Sequence, residues 1–210
     1  MTQWADWNAS RQTNPRFGSD TNYAQFVDGV LRFGGTATVY DDLLRDATST
    51  RQGTVAPTIG TGFRGDNNHI HTTFIHTQAD EVQFEVQLPH RGKAGSVMYP
   101  HVHFAPTTTG TGTVRFALEY YAANVDAQFP ASPQTYLMTK TWATNQQWYH
   151  LIADNATGLT LAGWTLSNVL KVRLYRDNTV ASNYAAAISF LYFDVHVEID
   201  SLGSDEEYLK

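Results

Sequence analysis

The strongest constraint on the fold of this chain is a two-residue alternation of apolar and polar side chains. Three segments carry it: Glu81 to Leu88, Thr113 to Tyr121 and Leu191 to Asp200. Successive side chains of a strand point to opposite faces of a sheet, so this pattern predicts β-strands that are buried on one face only.

Six further segments are rich in β-branched or aromatic residues and predict additional strands. They are Thr36 to Tyr40, His69 to Ile75, Val97 to Phe104, Thr135 to Trp142, Trp148 to Ala153 and Asn168 to Arg176. Short helices are predicted at Ala24 to Leu31 and Asp41 to Asp46. About nine strands separated by Gly, Asn and Asp turns, with no regular alternation of helices, predict an all-β protein. The expected architecture is an antiparallel β-sandwich of jelly-roll type or a related barrel.

The N-terminal segment has a different character. Residues 1–23 follow neither the strand nor the helix period, and Trp4, Trp7 and Phe17 are large apolar side chains in polar surroundings. We therefore predict an extended, interaction-prone arm over residues 1–23 and a single β-sandwich domain over residues 24–210. Aromatic side chains dominate the energetics of protein interfaces, so these three residues are expected to dock on a partner.

Composition excludes several classes of function. The formal net charge is −6, and the 14 basic residues form no cluster, so binding to a nucleic-acid backbone is not expected. The absence of cysteine removes disulfides and thiolate metal sites. The longest apolar run, Tyr184 to Phe193, is about half of the roughly 20 residues that a membrane helix needs. We expect a protein without membrane contact that is assembled in a cytoplasm.

Paired histidines are the most conspicuous chemical feature. His101 and His103 are two positions apart on a predicted strand and share one face, where they could supply two ligands to a metal ion. Cupins begin their metal site with such a His-x-His pair and follow it with a nearby glutamate. Here the next acidic residue is Glu119, on another strand, so the cupin pattern fails at its second ligand.

The last predicted strand carries Asp194, His196 and Glu198 on its polar face. If this strand pairs with the His-x-His strand, His101, His103 and His196 could hold a metal with one of the two carboxylates. The interpretation we favour is that both polar faces meet solvent or a partner surface. We therefore predict these five residues as partner-binding and expect neither a metal nor a cofactor.

No pattern predicts an enzyme. The adjacent carboxylates Asp41-Asp42 and Glu206-Glu207 lie in predicted turn or tail regions, and no acidic residue stands alone among aromatic residues, an environment that would raise its pKa. The chain has 11 Tyr, 11 Phe and 5 Trp, and aromatic rings can stack on the apolar faces of sugars. Recognition of a host-surface glycan is therefore an alternative function.

Several segments together resemble a family of virion proteins of tailed bacteriophages. They are Glu85 to His90, Tyr99 to Phe104, Val114 to Tyr120, Val172 to Asp177 and Phe193 to Tyr208. Members of this family often have a PHxHW strand and end in DxHYExDSLGSxEEY. This chain has Phe104 where the family usually has Trp and Val197 where it usually has Tyr, and both differences keep an apolar side chain. The resemblance spans about residues 36–210.

The resemblance implies a structural, non-catalytic role in the phage particle, as a head decoration, a head fibre or a neck or tail component. The implied partners are the protein's own subunits, as a dimer or trimer, and the major capsid protein or neck and tail proteins. The implied location is the virion, after assembly in the cytoplasm of a bacterial host. A glycan-binding module and a cupin-like metal-binding protein are the alternatives.

Overall fold

The computed structural model describes residues 16–37, 39–77 and 79–204. Within these ranges the chain forms β-strands and one short 3₁₀ helix, Ala47–Ser49. The strands are β1 (Arg16–Ser19), β2 (Asn22–Val27), β3 (Val30–Gly35), β4 (Val39–Asp42), β5 (Arg45–Asp46), β6 (Arg51–Gln52), β7 (Thr58–Phe63), β8 (Asp66–Phe74), β9 (Glu81–Gln87), β10 (Tyr99–Pro106), β11 (Gly112–Ala123), β12 (Gln134–Trp142), β13 (Leu151–Ala153), β14 (Val169–Arg176) and β15 (Ile188–Ile199). None of the described segments is a helix with the length and apolarity needed to span a bilayer.

Two antiparallel sheets form the sandwich. The five-stranded sheet has the order β12-β11-β14-β9-β6. The seven-stranded sheet has the order β13-β10-β15-β8-β7, and β4 and β5 also pair with β15. The long strand β15 therefore has β10 along one edge and β8, β5 and β4 in succession along the other.

The core draws apolar side chains from both sheets. Val82, Phe84 and Val86 of β9 are buried while the residues between them are more exposed, as the alternation predicts. Phe116 of the five-stranded sheet meets Phe104 of the seven-stranded sheet with ring centroids 5.9 Å apart. Burial of this continuous apolar layer is the main force that holds the two sheets together. The predicted all-β antiparallel sandwich is confirmed.

A separate three-stranded sheet, β1-β2-β3, precedes the sandwich. The two-residue turn Asp28-Gly29 joins β2 to β3, and both residues have positive φ, 51° and 83°. This is the turn type that matches the twist of a hairpin and favours an Asp-Gly sequence. Backbone hydrogen bonds from Phe33 N to Asp200 O and from Leu202 N to Leu31 O attach this sheet to the end of β15.

The two predicted helices are wrong. Residues 24–31 belong to β2, the Asp28-Gly29 turn and β3. Both turn residues have positive φ, which reverses the chain direction, so the flanking residues pair as a hairpin and do not form a helix. Residues 41–46 belong to β4 and β5, where pairing with β15 supplies the backbone hydrogen bonds that a helix would have supplied internally. The domain boundary predicted at residue 24 lies inside β2.

Candidate functional site

The pairing of β10 with β15 brings the predicted site residues of both strands together. His101 lies opposite Asp194 in the ladder, and Tyr99 lies opposite His196. These side chains occupy the face of the seven-stranded sheet that is turned away from the core, since the alternate residues Val102 and Val195 are buried in the core. The condition for a shared histidine and carboxylate site, that these two strands pair, is met.

Three side chains at the centre of this face converge closely. His101 Nδ1 lies 3.3 Å from Asp194 Oδ1, and His196 Nε2 lies 3.6 Å from Asp194 Oδ2. The rings of His101 and His196 are perpendicular, with centroids 4.3 Å apart. The candidate ligand atoms of these three residues all lie within 4.8 Å of one another. We call this group the histidine–aspartate cluster.

Two further histidines and a tyrosine support the cluster. His103 Nε2 lies 3.3 Å from Asp194 Oδ2, and His103 Nδ1 lies 2.6 Å from His150 Nε2. The ring of Tyr192 stacks on His103, with centroids 4.0 Å apart and an interplanar angle of 18°. These contacts fix the orientation of His103 and limit the movement of the Asp194 carboxylate.

A second aspartate reaches the cluster from β4. Asp42 lies opposite His196 in the β4–β15 ladder, and its Oδ1 is 3.1 Å from His196 Nε2. Unlike Asp194, Asp42 has a mostly exposed carboxylate. The cluster thus extends from a buried carboxylate at its centre to an exposed one at its edge.

Several polar atoms of the cluster and of the neighbouring His103 are buried without a hydrogen-bond partner among the described residues. They are His101 Nδ1, His103 Nε2 and Asp194 Oδ1. His101 Nδ1 lies 3.3 Å from Asp194 Oδ1 and His103 Nε2 lies 3.3 Å from Asp194 Oδ2, but the angles are not those of hydrogen bonds. Buried polar groups usually have partners, because leaving one without any costs about 1–3 kcal/mol.

The cluster is electrostatically unusual. Burial alone would raise the pKa of Asp194, but its contacts with His101 and His103 outweigh this effect and hold that pKa below its usual value. Burial lowers the pKa of His150, and the neighbouring His103 lowers it further. Burial and the nearby Asp194 raise the pKa of the Tyr192 hydroxyl. Asp194 is therefore an anion held inside the protein.

The structure corrects the expected exposure of two predicted partner-binding residues. His103 is 5% exposed and Asp194 is 3% exposed, so neither can contact a partner directly. The stacked ring of Tyr192 and the adjacent His150 cover His103, although it faces away from the core. His196 remains partly accessible.

The other predicted site residues lie elsewhere. Glu198 Oε1 accepts a hydrogen bond from Lys93 Nζ at 2.7 Å and is outside the cluster. Phe17 lies on the N-terminal sheet and is 59% exposed. Trp4 and Trp7 lie outside the described residues.

Sequence reasoning missed His150, Tyr192 and Asp42 as members of this site. His150 comes from the loop before β13 and lies 47 positions from its contact His103, so no local pattern indicates it. The two-residue alternation could have identified Tyr192, because it places Tyr192 on the same face of β15 as Asp194 and His196. In chemical terms the cluster offers two imidazoles and one carboxylate, a set that could hold a metal ion.

No protein-family profile and no curated protein sequence matches the chain. Among solved structures, it is similar to the carbohydrate-binding module CBM35 from Cellvibrio japonicus Abf62, with 14% identity and a TM-score of 0.43 over 79% of this chain and 99% of that one. The mannan-recognising module TmCBM27 aligns with 10% identity and a TM-score of 0.28 over 77% of this chain and 99% of that one. Eiger TNF from S. frugiperda aligns with 12% identity and a TM-score of 0.29 over 82% of this chain and 98% of that one.

Proposed function

We propose that this protein is a non-catalytic structural component of a tailed-phage particle, attached as a homo-oligomer to the capsid or to the neck and tail. The resemblance of residues 36–210 to phage virion proteins supports this role. The structural observation that carries the proposal is the N-terminal sheet, which has an apolar face and no buried side chain among residues 16–37.

The apolar face follows from the register of the three strands. Phe17, Ala24 and Phe33 lie opposite one another across β1, β2 and β3. Phe26 and Leu31 form the next pair on the same face. One side of this small sheet therefore carries three phenylalanines and a leucine.

A sheet of this size gains little stability by itself. Small sheets need a packed apolar face to be stable in water, and burial of apolar surface contributes about 25 cal/mol per Å². None of the residues of this sheet is buried and Phe17 is 59% exposed. Hydrogen bonds from Phe33 N to Asp200 O and from Leu202 N to Leu31 O nevertheless hold the sheet against the sandwich. A sheet that is held in place with the Phe17 ring exposed suits contact with another protein.

The N-terminal arm extends this argument. Trp4 and Trp7 precede β1 and remain predicted anchors on a neighbouring subunit or on a capsid, neck or tail protein. A homo-oligomer with closed symmetry would cover the same face on each copy. The proposed location is the virion, after assembly in the cytoplasm of the bacterial host.

The test is incorporation into particles. We expect the wild-type protein to be found by mass spectrometry in purified virions of the phage that encodes it, and a labelled copy to appear at fixed sites in a low-resolution map. The substitution Phe17→Ser should lower incorporation. Tyr149→Ser is the matched control, since Tyr149 is similarly exposed but lies in the loop before β13, and it should leave incorporation unchanged.

The outcomes separate two claims. Absence of the wild-type protein from purified particles contradicts the virion role. Presence with undiminished incorporation of Phe17→Ser keeps the virion role and rules out the apolar face as the attachment surface.

A surface groove on the five-stranded sheet favours glycan recognition as a second candidate. Its lining includes the aromatic ring of Tyr121 beside the polar side chains of Gln83, Glu119, Lys171 and Arg173. Such a ring can stack on the apolar face of a sugar, while the surrounding donors and acceptors bind its hydroxyls. A glycan array tests this: binding that is lost in Tyr121→Ala supports it, and no binding to any glycan contradicts it.

A further inference from the structure

We propose that His101, Asp194 and His196 together bind one divalent first-row transition-metal ion, such as Zn²⁺. The ion would lie on the face of the seven-stranded sheet turned away from the core. This inference goes beyond the proposed virion role and stands without it. It replaces the expectation, drawn from the sequence, that the chain holds no metal.

The spacing of the donor atoms suits such an ion. Bonds of about 2.0–2.2 Å to nitrogen and oxygen in a tetrahedral site place neighbouring ligand atoms about 3.4 Å apart. Asp194 Oδ1 lies 3.3 Å from His101 Nδ1 and Asp194 Oδ2 lies 3.6 Å from His196 Nε2, so the carboxylate faces each histidine with a different oxygen. The backbone ladder places the three residues side by side, and with one donor atom from each residue the donors lie within 4.8 Å of one another. Side-chain rotations that bring these atoms to about 3.4 Å would close the site on an ion.

The buried atoms without partners are an independent observation. His101 Nδ1 and Asp194 Oδ1 face each other without a hydrogen bond, and no other described atom satisfies them. A cation bound by both would remove this deficit and would also neutralise the buried charge of Asp194. The spacing and the missing partners thus point to the same ligand.

The kind of ion follows from the donors. Imidazole nitrogen suits Zn²⁺, Fe²⁺, Co²⁺ and Ni²⁺, whereas Mg²⁺ and Ca²⁺ prefer oxygen ligands. Two histidines and one carboxylate therefore select a transition metal. The cupin pattern starts from two histidines of one His-x-His pair; here His103 contacts Asp194 and His150 instead.

The surroundings indicate how the ion would be supported. His103 lies next to the Asp194 carboxylate, where it can orient that ligand, as residues around metal ligands commonly do. Asp42 Oδ1, 3.1 Å from His196 Nε2, contacts this second ligand from β4. An ion bound in this way would join β10 and β15, so its role is to stabilise this face of the sheet.

The experiment uses the full chain, made without a polyhistidine tag and stripped with EDTA. Zn²⁺ and Mg²⁺ are titrated calorimetrically near neutral pH, and Co²⁺ is titrated by visible absorption. We expect one Zn²⁺ or Co²⁺ per chain and no binding of Mg²⁺. His196→Ala and His101→Gln should each weaken Zn²⁺ binding by more than about tenfold.

The control is His69→Ala. His69 Nδ1 also lies beside a carboxylate, 2.6 Å from Asp66 Oδ2, but on an exposed hairpin where the described residues provide no third ligand. This variant should bind Zn²⁺ as the wild type does. Equal weakening in His69→Ala, undiminished binding in both His196→Ala and His101→Gln, or no stoichiometric binding by the wild type would each overturn the proposal.

Folding of the variants does not limit the test. Thermal unfolding in EDTA shows whether each variant is folded before titration. If neither variant folds, the absorption spectrum of the Co²⁺-loaded wild type tests the proposal. Bands typical of imidazole and carboxylate ligands support the metal site, and their absence overturns it.

Discussion

The guanidinium of Arg176 is fully buried and donates a hydrogen bond of 2.6 Å from Nη2 to the backbone carbonyl of Tyr184. Its other bonds go to the carbonyls of Ala186 and Phe74 and to Asn183 Oδ1. Burial lowers the pKa of Arg176 to about 10, so the group is still charged at neutral pH. One side chain thus connects the end of β14, the end of β8 and the segment before β15.

Removal of this guanidinium should destabilise the fold strongly. Arg176→Met leaves several buried carbonyls without a donor, and we expect a loss of about 3–5 kcal/mol in the free energy of unfolding. Chemical denaturation provides the measurement. Arg51→Met, which changes a largely exposed arginine, is the control and should cost little. A loss below about 1 kcal/mol at Arg176 would contradict the role assigned to this network.

Phe104→Trp should also be destabilising, although the phage virion family usually has Trp at this position. Phe104 has no exposed surface, and its ring lies between Phe116 and Trp142. Added volume in a packed core typically costs about 1–3 kcal/mol. Denaturation of this variant beside Phe129→Trp, a control at an exposed position, tests the prediction. Equal stability of the two variants would show that the core has unused space.

Two glycines of positive φ should respond differently to alanine. Gly158 has φ of 71°, and an added Cβ would overlap with Val97 Cγ1 and lie 3.0 Å from Met98 O. Gly163 has φ of 65°, but nothing lies within 4 Å of its added Cβ. Gly163→Ala should therefore cost only the left-handed backbone penalty, about 1–2 kcal/mol, and Gly158→Ala clearly more. Denaturation midpoints of the two variants measure the difference. Equal losses of stability would mean that the loop around Gly158 shifts to accommodate the added Cβ at no cost.

Stability should fall as the pH drops below neutrality. Burial lowers the pKa of His71 from its ordinary value of 6.5. The unfolded chain therefore takes up its proton first, so the contribution of His71 is complete above 6.5 and is lost as the pH falls towards the lowered pKa. Denaturation with EDTA present, across this range, should show a smaller pH dependence for His71→Gln than for the wild type. An unchanged pH dependence would mean that His71 is not the responsible group.

Local patterns predict a large part of the scaffold. The alternation in Glu81 to Leu88 identifies β9, and the alternation in Leu191 to Asp200 identifies most of β15. The Asp28-Gly29 pair is also a local hairpin signal. It predicts two paired strands, β2 and β3, where the apolar pattern of Ala24 to Leu31 predicted a helix. Such features depend on neighbours in the chain and can be predicted from it.

The metal-ligand geometry could be predicted only in part. The polar faces containing His101 and Asp194 follow from periodicity, but the register that sets them opposite each other depends on how the two sheets pack. The bulge between His103 and Phe104 and the approach of His150 from a distant loop leave no local trace in the sequence.

The sequence by itself determined that this protein is a β-sandwich with histidines and carboxylates on one polar sheet face and an aromatic N-terminal segment, because side-chain alternation and turn residues act over a few positions. Only the tertiary structure decided that Asp194 is buried among three histidines and that Phe17 shares an apolar face with Phe33. Those relationships arise from pairing between strands, whose register is selected by burial of the whole core rather than by any one segment.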